Sequence, residues 1–154
     1  MIEYAILLPL FFMLFVGLFQ FGVMYATQSM LDNAARDAAR LIRIGTISGS
    51  SYTSALTTAI CNDLTVQNYN LVPNCTSTIQ TYVAAYSTGS PSGTGFDSVN
   101  TASVSNGVMT QTKATLAGKY DVLLQVGVQL PWTGVLFTGN AMLISSQAFQ
   151  TEPY

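Results

Sequence analysis

Hydrophobic residues are concentrated at the front of this chain. Between Glu3 and Asp32 there is no Asp, Glu, Lys or Arg. A helix over this stretch would extend about 40 Å at 1.5 Å per residue, which exceeds the hydrocarbon core of a bilayer. A secretory signal peptide has a basic start and an apolar stretch of only about 7 to 15 residues, whereas this start is acidic and its apolar run is longer. The pattern therefore predicts that residues 4–27 form a membrane-spanning helix that stays in the mature protein.

The helical period continues beyond the apolar run, through SMLDNAARDAARLIRIG. Apolar positions share one side of this segment and charged positions lie opposite, which is typical of an amphipathic helix. The apolar side comprises Leu31, Ala34, Ala35, Ala38, Leu41 and Ile42, and the other side comprises Asp32, Asn33, Arg36, Asp37, Arg40 and Arg43. Asp32 and Arg36 also have the i,i+4 spacing that favours an ion pair. With Gly45 as the expected stop, residues 1–45 form one helix of about 40 residues.

The remaining residues, 46–154, are predicted to form a head domain outside the cytoplasm. A second helix is expected over residues 52–65, and strands over residues 76–86, 120–130 and 141–150. The second predicted strand, YDVLLQVGVQL over residues 120–130, alternates so that one face is buried and the other is largely polar. Because the strands are linked as hairpins with no long helix between them, the sheet should be antiparallel and should pack on the amphipathic half of the N-terminal helix. The fold class is α+β, and residues 87–107 are expected to form a long loop.

Composition excludes several functions. Charged residues make up 8% of the chain, histidine is absent and the net charge is −2, so the clustered Lys and Arg of a nucleic-acid site are missing. No imidazole is available as a general base, and Asp63, Asp97 and Asp121 lie in separate elements with no shared motif. We therefore expect no enzyme activity and no cofactor.

The two cysteines indicate an oxidising compartment. Cys61 and Cys75 are 14 residues apart. A disulfide between them would close a loop of this size and stabilise the folded state by about 3 kcal/mol. The alternative is two unrelated buried thiols. A zinc site is disfavoured, because it needs four ligands and no histidine or CxxC supplies them. Three arginines directly after the apolar run would be cytoplasmic by the positive-inside rule. The part of the chain after these arginines contains both cysteines, however, which favours its export.

Glu3 stands at the head of the apolar helix. A helix N-terminus attracts negative charge, which is the simple explanation. The functional one starts from the several kcal/mol that a carboxylate loses in an apolar bundle unless a cation pairs with it. The α-amino group of another copy could be that cation, so that Glu3 would set the register of stacked helices.

Other residues shape the surface of this helix. Pro9 should kink or unwind it near residues 5–9, and Gly17 and Gly22 provide flat surface. Small pairs such as Ala34 and Ala38 permit close approach of the helix, either to another helix or to the protein's own domain.

Three segments resemble those of TadE-like pseudopilins of the bacterial tight-adherence (Tad) pilus, within the type IV pilin-like superfamily. They are IEYAILLPLFFMLFVGLFQFG, AARDAARLIR and the closing VGVQLPW with MLISSQAFQTE. The resemblance implies cleavage by a prepilin peptidase, residence in the inner membrane, and extraction by the pilus assembly machinery into a helical filament of identical subunits at the cell surface. We expect subunits to assemble through residues of the apolar helix, namely Glu3, Tyr4, Pro9, Gly17, Gln20 and Gly22.

Three roles remain open from the sequence. The first is a structural subunit of a type IV-like or Tad-type filament, with helices in the core and heads outside. The second is a minor pseudopilin that primes or caps a filament made of another subunit. The third is a single-pass membrane-anchored adhesin or receptor that binds a ligand through residues 87–107.

Overall fold

The computed structural model describes residues 2–66, 69–70, 72–87, 100–129 and 142–153, with side chains at all of these positions except 2–6, 66 and 69–70. Its longest element is α1, Ile2–Arg43, a single α-helix that contains Pro9. The helix ends close to the predicted Gly45, which has a φ of 77°. At this end the amide of Ile47 donates to the carbonyl oxygen of Leu41 over 3.2 Å, which satisfies one of the last helical carbonyls. The predicted N-terminal helix is confirmed.

The main sheet has three antiparallel strands in the order β3–β6–β7. Their bounds are Ile79–Ser87, Tyr120–Gln129 and Met142–Gln150. The central strand, β6, pairs Val128 with Ile79 on one side and with Leu143 on the other. The remaining elements are short: α2 Thr53–Asp63, β1 Thr65–Val66, β2 Tyr69–Asn70, α3 Cys75–Thr78, β4 Val104–Ser105 and β5 Val108–Met109.

The main core lies between one face of this sheet, the second half of α1, and α2. Leu31 and Ile42 of α1, Leu56 of α2, and Val122 and Leu124 of β6 are all 0% exposed. These positions follow the 3.6-residue period in the helices and the two-residue period in the strand. The predicted α+β architecture, with an antiparallel sheet packed on the amphipathic half of the helix, is confirmed.

One disulfide and one hydrogen bond hold α2 and the segment after it in place. Cys61 and Cys75 form the predicted disulfide, with a Cα–Cα distance of 5.8 Å, so the end of α2 is joined to the start of α3. At the other end of α2, the buried Tyr52 hydroxyl donates to the carbonyl oxygen of Ala114 over 2.8 Å. Burial raises the pKa of Tyr52 to about 12, because the phenolate would lose its hydration.

The second face of the sheet is not the open polar surface that the alternation in β6 predicted. Strands β4 and β5 form a hairpin over it, and a small second core of Tyr82, Ala84 and Met109 results. Gln125, on this face, is 8% exposed and accepts a hydrogen bond from the amide of Ala102. The polar residue is therefore buried and paired, because the hairpin supplies partners that strand alternation alone does not reveal.

Other predicted boundaries differ locally. The second helix is shorter than residues 52–65, since α2 ends at Asp63. The strand expected over 76–86 begins at Ile79, because residues Cys75–Thr78 form a helical turn. The expected loop over 87–107 contains β4, while its residues 88–99 lie outside the described residues. The segment that joins the last two predicted strands, residues 131–140, also lies outside them.

Candidate functional site

The first half of α1 is apolar and exposed. Fourteen large apolar side chains between Leu7 and Tyr25 have exposed fractions from 38% to 79%. They are Leu7, Leu8, Leu10, Phe11, Phe12, Met13, Leu14, Phe15, Leu18, Phe19, Phe21, Val23, Met24 and Tyr25. We call residues 7–25 the apolar belt.

The belt surrounds the helix. Leu7, Leu8, Leu10 and Phe11 have exposed fractions of 60%, 56%, 66% and 66%, and successive helical residues point about 100° apart. These four side chains therefore cover different sides of the helix, and no side of the belt is reserved for the head. An amphipathic helix on the surface of a globular domain would instead show one apolar stripe facing a core.

The dimensions of the belt match a bilayer. Eighteen residue steps correspond to about 27 Å along the helix axis, close to the hydrocarbon thickness of about 30 Å. The most apolar part of α1 has a mean hydropathy of 2.2, and only 6% of it is buried inside the protein. By length and composition this helix is able to cross a membrane, and its low burial distinguishes it from the core helix of a globular domain.

The change from belt to head is abrupt. Tyr25 is 79% exposed, Thr27 is 6% exposed and Leu31 is 0% exposed. Thr27 keeps its hydroxyl satisfied within the helix by donating to the carbonyl oxygen of Val23 over 2.9 Å. The helix therefore passes from a fully exposed to a half-buried environment within two turns.

The predicted assembly residues all lie in α1 at or before the belt's last turn. Pro9 is exposed and the helix continues through it, so the local unwinding expected near residues 5–9 does not occur. Gly17 is buried, whereas Gly22 is exposed and, apart from the backbone of its own helix, no atom lies within 4 Å of the position where a Cβ would stand. Glu3 and Tyr4 belong to the same helix, but their side chains lie outside the described ones.

Gln20 is the polar side chain within the belt. It is half-buried, and its Oε1 atom is shielded from solvent without a hydrogen-bond partner. An amide oxygen in an apolar environment loses free energy unless a donor reaches it. This atom is thus suited to a donor from a neighbouring chain.

The small residues of the second half of α1 contact the protein's own head. Ala34, Ala35 and Ala38 are each 0% exposed within the main core. Of the two interpretations left open by the sequence, packing against the chain's own domain is therefore the one that the structure shows.

Two polar ties connect α1 to β7, and sequence patterns did not indicate either. Near the belt, the Nε2 atom of Gln28 donates to the carbonyl oxygen of Ile144 over 3.2 Å and to Asp32 Oδ1 over 3.1 Å. At the far end, the amide of Glu152 donates to the carbonyl oxygen of Arg43 over 3.0 Å, and their side chains approach to 3.5 Å. Among the described residues, Arg43–Glu152 is the ion pair that forms, rather than the Asp32–Arg36 pair that the spacing favoured.

A shallow groove runs between α1 and α2. Leu41, Ile44 and Ala59 form its apolar part, and Asp37 and Asp63 lie at its edge. The pKa of Asp63 is raised, first by partial burial and second by the negative charge of Asp37. The negative charge of Asp37 therefore disfavours the charged form of Asp63, and the cationic Arg40 lies in the same groove.

Comparison with known families agrees with the helix. Residues 1–40 match the family model of TadE-like protein. The resemblance inferred from the sequence is thereby confirmed over the belt and most of the amphipathic half of α1, and the match does not extend to the closing residues 120–154. No curated protein and no solved structure matches the chain. Together with the exposed apolar helix, the match shows that the first 40 residues are similar to those of TadE-like proteins.

Proposed function

We propose that this chain is a structural subunit of a Tad-type surface filament and that it polymerises through α1. The observation that carries the proposal is the apolar belt, which is exposed on all sides although the second half of α1 is buried in a core shared with the head. In water, burying these fourteen side chains would contribute on the order of 15 kcal/mol. The belt therefore requires an apolar environment, which is lipid before assembly and the helices of other copies afterwards.

The same reasoning supports a role for assembly machinery. Lipid tails are as apolar as leucine, so there is no hydrophobic driving force between helices that are already in a bilayer. Transfer from membrane to filament must then be driven by other proteins. We propose the inner-membrane pilus assembly machinery as that partner, and a prepilin peptidase as the enzyme that processes the chain. The chain itself acts as a building block with no catalytic role.

Polar groups in the apolar helix are proposed to fix the contacts between copies. Glu3 would pair with the α-amino group of a neighbouring subunit and so set the axial register, with Tyr4 beside it. The unpartnered amide oxygen of Gln20 supports a hydrogen bond to a neighbouring helix, and Pro9, Gly17 and Gly22 would shape the surfaces that meet. Before assembly the chain would reside in the inner membrane, and afterwards at the cell surface.

The test compares the two glutamates of the chain. Cells producing the wild type, Glu3→Ala or Glu152→Ala are sheared, and the released material is examined by electron microscopy and mass spectrometry, with the membrane-bound amount measured in parallel. Glu152 is an exposed head residue in a weak ion pair, so its replacement should leave the filament yield unchanged. Glu3→Ala should lower the yield while the membrane-bound amount is kept.

Each outcome has a distinct meaning. Wild-type fibres that contain this chain as the main subunit support the proposal. Fibres in which it is rare relative to another pilin would assign it to a minor pseudopilin. Detection in the membrane fraction alone would refute the filament role and favour a membrane-anchored adhesin. Normal fibres from Glu3→Ala would remove only the role given to Glu3.

A further inference from the structure

The head is fixed beside α1 with one end of its sheet next to the belt. Gln28 bonds to the backbone of Ile144 near the start of β7, and Arg43 bonds to Glu152 just after its end. Strand β7 and the second half of α1 therefore run side by side in the same direction. Because α1 is continuous from Ile2 to Arg43, the head has no linker on which to turn away from the belt.

The position of the near end of the sheet follows from these ties. Met142, the first residue of β7, precedes Ile144 by two residues, or about 7 Å of strand. That distance corresponds to four or five residues of helix, about 1.5 Å each. Met142, and Gln129 which pairs with it, thus lie level with residues 23–24 of α1. The sheet reaches the last turn of the belt.

The described side chains at this end of the sheet are uncharged, and the carboxylate beside them, Asp32, lies one helical turn further from the belt and accepts a hydrogen bond from Gln28. Gln28, Ile79, Gln129 and Met142 are all uncharged, and we call these four residues the near end. Asp121, Arg43 and Glu152 lie instead at the opposite end of the sheet, where Asp121 pairs with Gln150.

We propose that the near end of the head rests on the headgroup layer of the bilayer while the belt spans it. The partner of this surface is a phospholipid membrane, and the inference depends on the membrane stage of the proposed function. If the belt fills the hydrocarbon core, the level of residues 23–24 lies at its boundary, so the near end is in contact with headgroups. An uncharged polar and apolar surface suits that layer, since it is desolvated there without leaving a buried charge.

The test measures depth at the two ends of the sheet. Full-length protein is reconstituted in vesicles of phosphatidylcholine and phosphatidylglycerol, with a nitroxide label on Gln129→Cys, Ala148→Cys or Gln150→Cys, and with the native disulfide intact. Gln150 lies eight residues along β7 from the partner of Gln129, about 27 Å away. Collisional relaxation by oxygen and by a water-soluble nickel chelate then gives each label's depth. The Gln129 label should show at least a fivefold lower nickel accessibility than the Gln150 label.

A label on Leu14→Cys, inside the belt, separates this inference from the proposed function. If the Leu14 label is lipid-immersed and the Gln129 label is as exposed to nickel as the Gln150 label, the near-end contact is refuted and the membrane stage stands. If the Leu14 label is also in water, both are refuted.

Discussion

Two leucines of α1 test directly which part of the helix belongs to the folded head. Leu31 is 0% exposed and lies in the main core, whereas Leu14 is 61% exposed in the belt. They have the same side chain and the same helix, so the substitutions Leu31→Ala and Leu14→Ala remove the same atoms and change helix propensity equally. Any difference between the two variants in head stability must come from what surrounds each side chain.

The expected cost of Leu31→Ala is about 3 kcal/mol in the free energy of unfolding of the head. Truncation of a fully buried leucine costs the transfer free energy of the lost atoms plus a cavity term, in total roughly 2.7 to 5 kcal/mol. The lower part of this range is expected, because the alanines that flank Leu31 on the buried face leave room for partial collapse. For a unit of this size the loss lowers the melting temperature by about 10 °C. Leu14→Ala should change the melting temperature of the head by less than about 2 °C.

The assay is thermal unfolding of full-length protein in detergent micelles, which cover the belt in both variants. Near-ultraviolet circular dichroism follows the packing of the tyrosines in the head. Equal destabilisation by the two substitutions would contradict the division of α1 into a buried half and an exposed belt. A stable Leu31→Ala head would show that the main core does not depend on α1.

Three further predictions concern the head. Replacing Cys61 and Cys75 together with alanine should cost about 3 kcal/mol of stability, measured by urea unfolding in micelles, and an unchanged midpoint would refute the role of this loop closure. Tyr52→Phe should cost about 1 kcal/mol at pH 7. The folded pKa of Tyr52, about 12, lies above its unfolded value of 10.0, so the stability linked to this hydroxyl is present below pH 10 and is lost as the pH rises toward 12. Tyr52→Phe should therefore lose less stability over that pH range than the wild type. Equal losses in the two proteins would contradict this. Gly107→Ala should cost about 1 kcal/mol, because Gly107 has a φ of 74°, whereas Ser105→Ala, in the same hairpin, should cost little.

The helix and the sheet were predictable because their signals are periodic and long. An uncharged run of 28 residues and a continuing helical period define α1, and strict alternation defines β6. The hairpin over the second face was missed although its turn has a clear signature. Asn106 and Gly107 both have positive φ, which is the type I′ turn that an Asn-Gly pair favours. Its strands have only two residues each, too short for alternation to show.

The segment before β3 shows a local conflict that propensity cannot resolve. Its threonines favour a strand, yet residues Cys75–Thr78 form a helical turn. The hydroxyls of Ser77 and Thr78 donate to the carbonyl oxygen of Asn74 over 2.8 and 3.1 Å. Such side-chain bonds to nearby backbone compete with strand pairing, and the disulfide at Cys75 holds the turn against α2.

The distribution of small residues along α1 limits how copies of this protein can meet. Ala34, Ala35 and Ala38 allow a close approach of α1 to another surface, and the head of the same chain already covers them, since all three are 0% exposed. In the proposed filament, contacts between helices of different copies would therefore fall to the belt, where bulky side chains such as Phe11 and Phe19 are 66% and 69% exposed. Phenylalanine-rich helices keep their axes further apart than alanine faces do. Close contact is then confined to places such as Gly22, where a neighbouring side chain finds open space. A bulky residue at Gly22 should consequently impair assembly of copies without affecting the head, whereas one at Ala38 should unfold the head itself, by overpacking of about 1 to 3 kcal/mol.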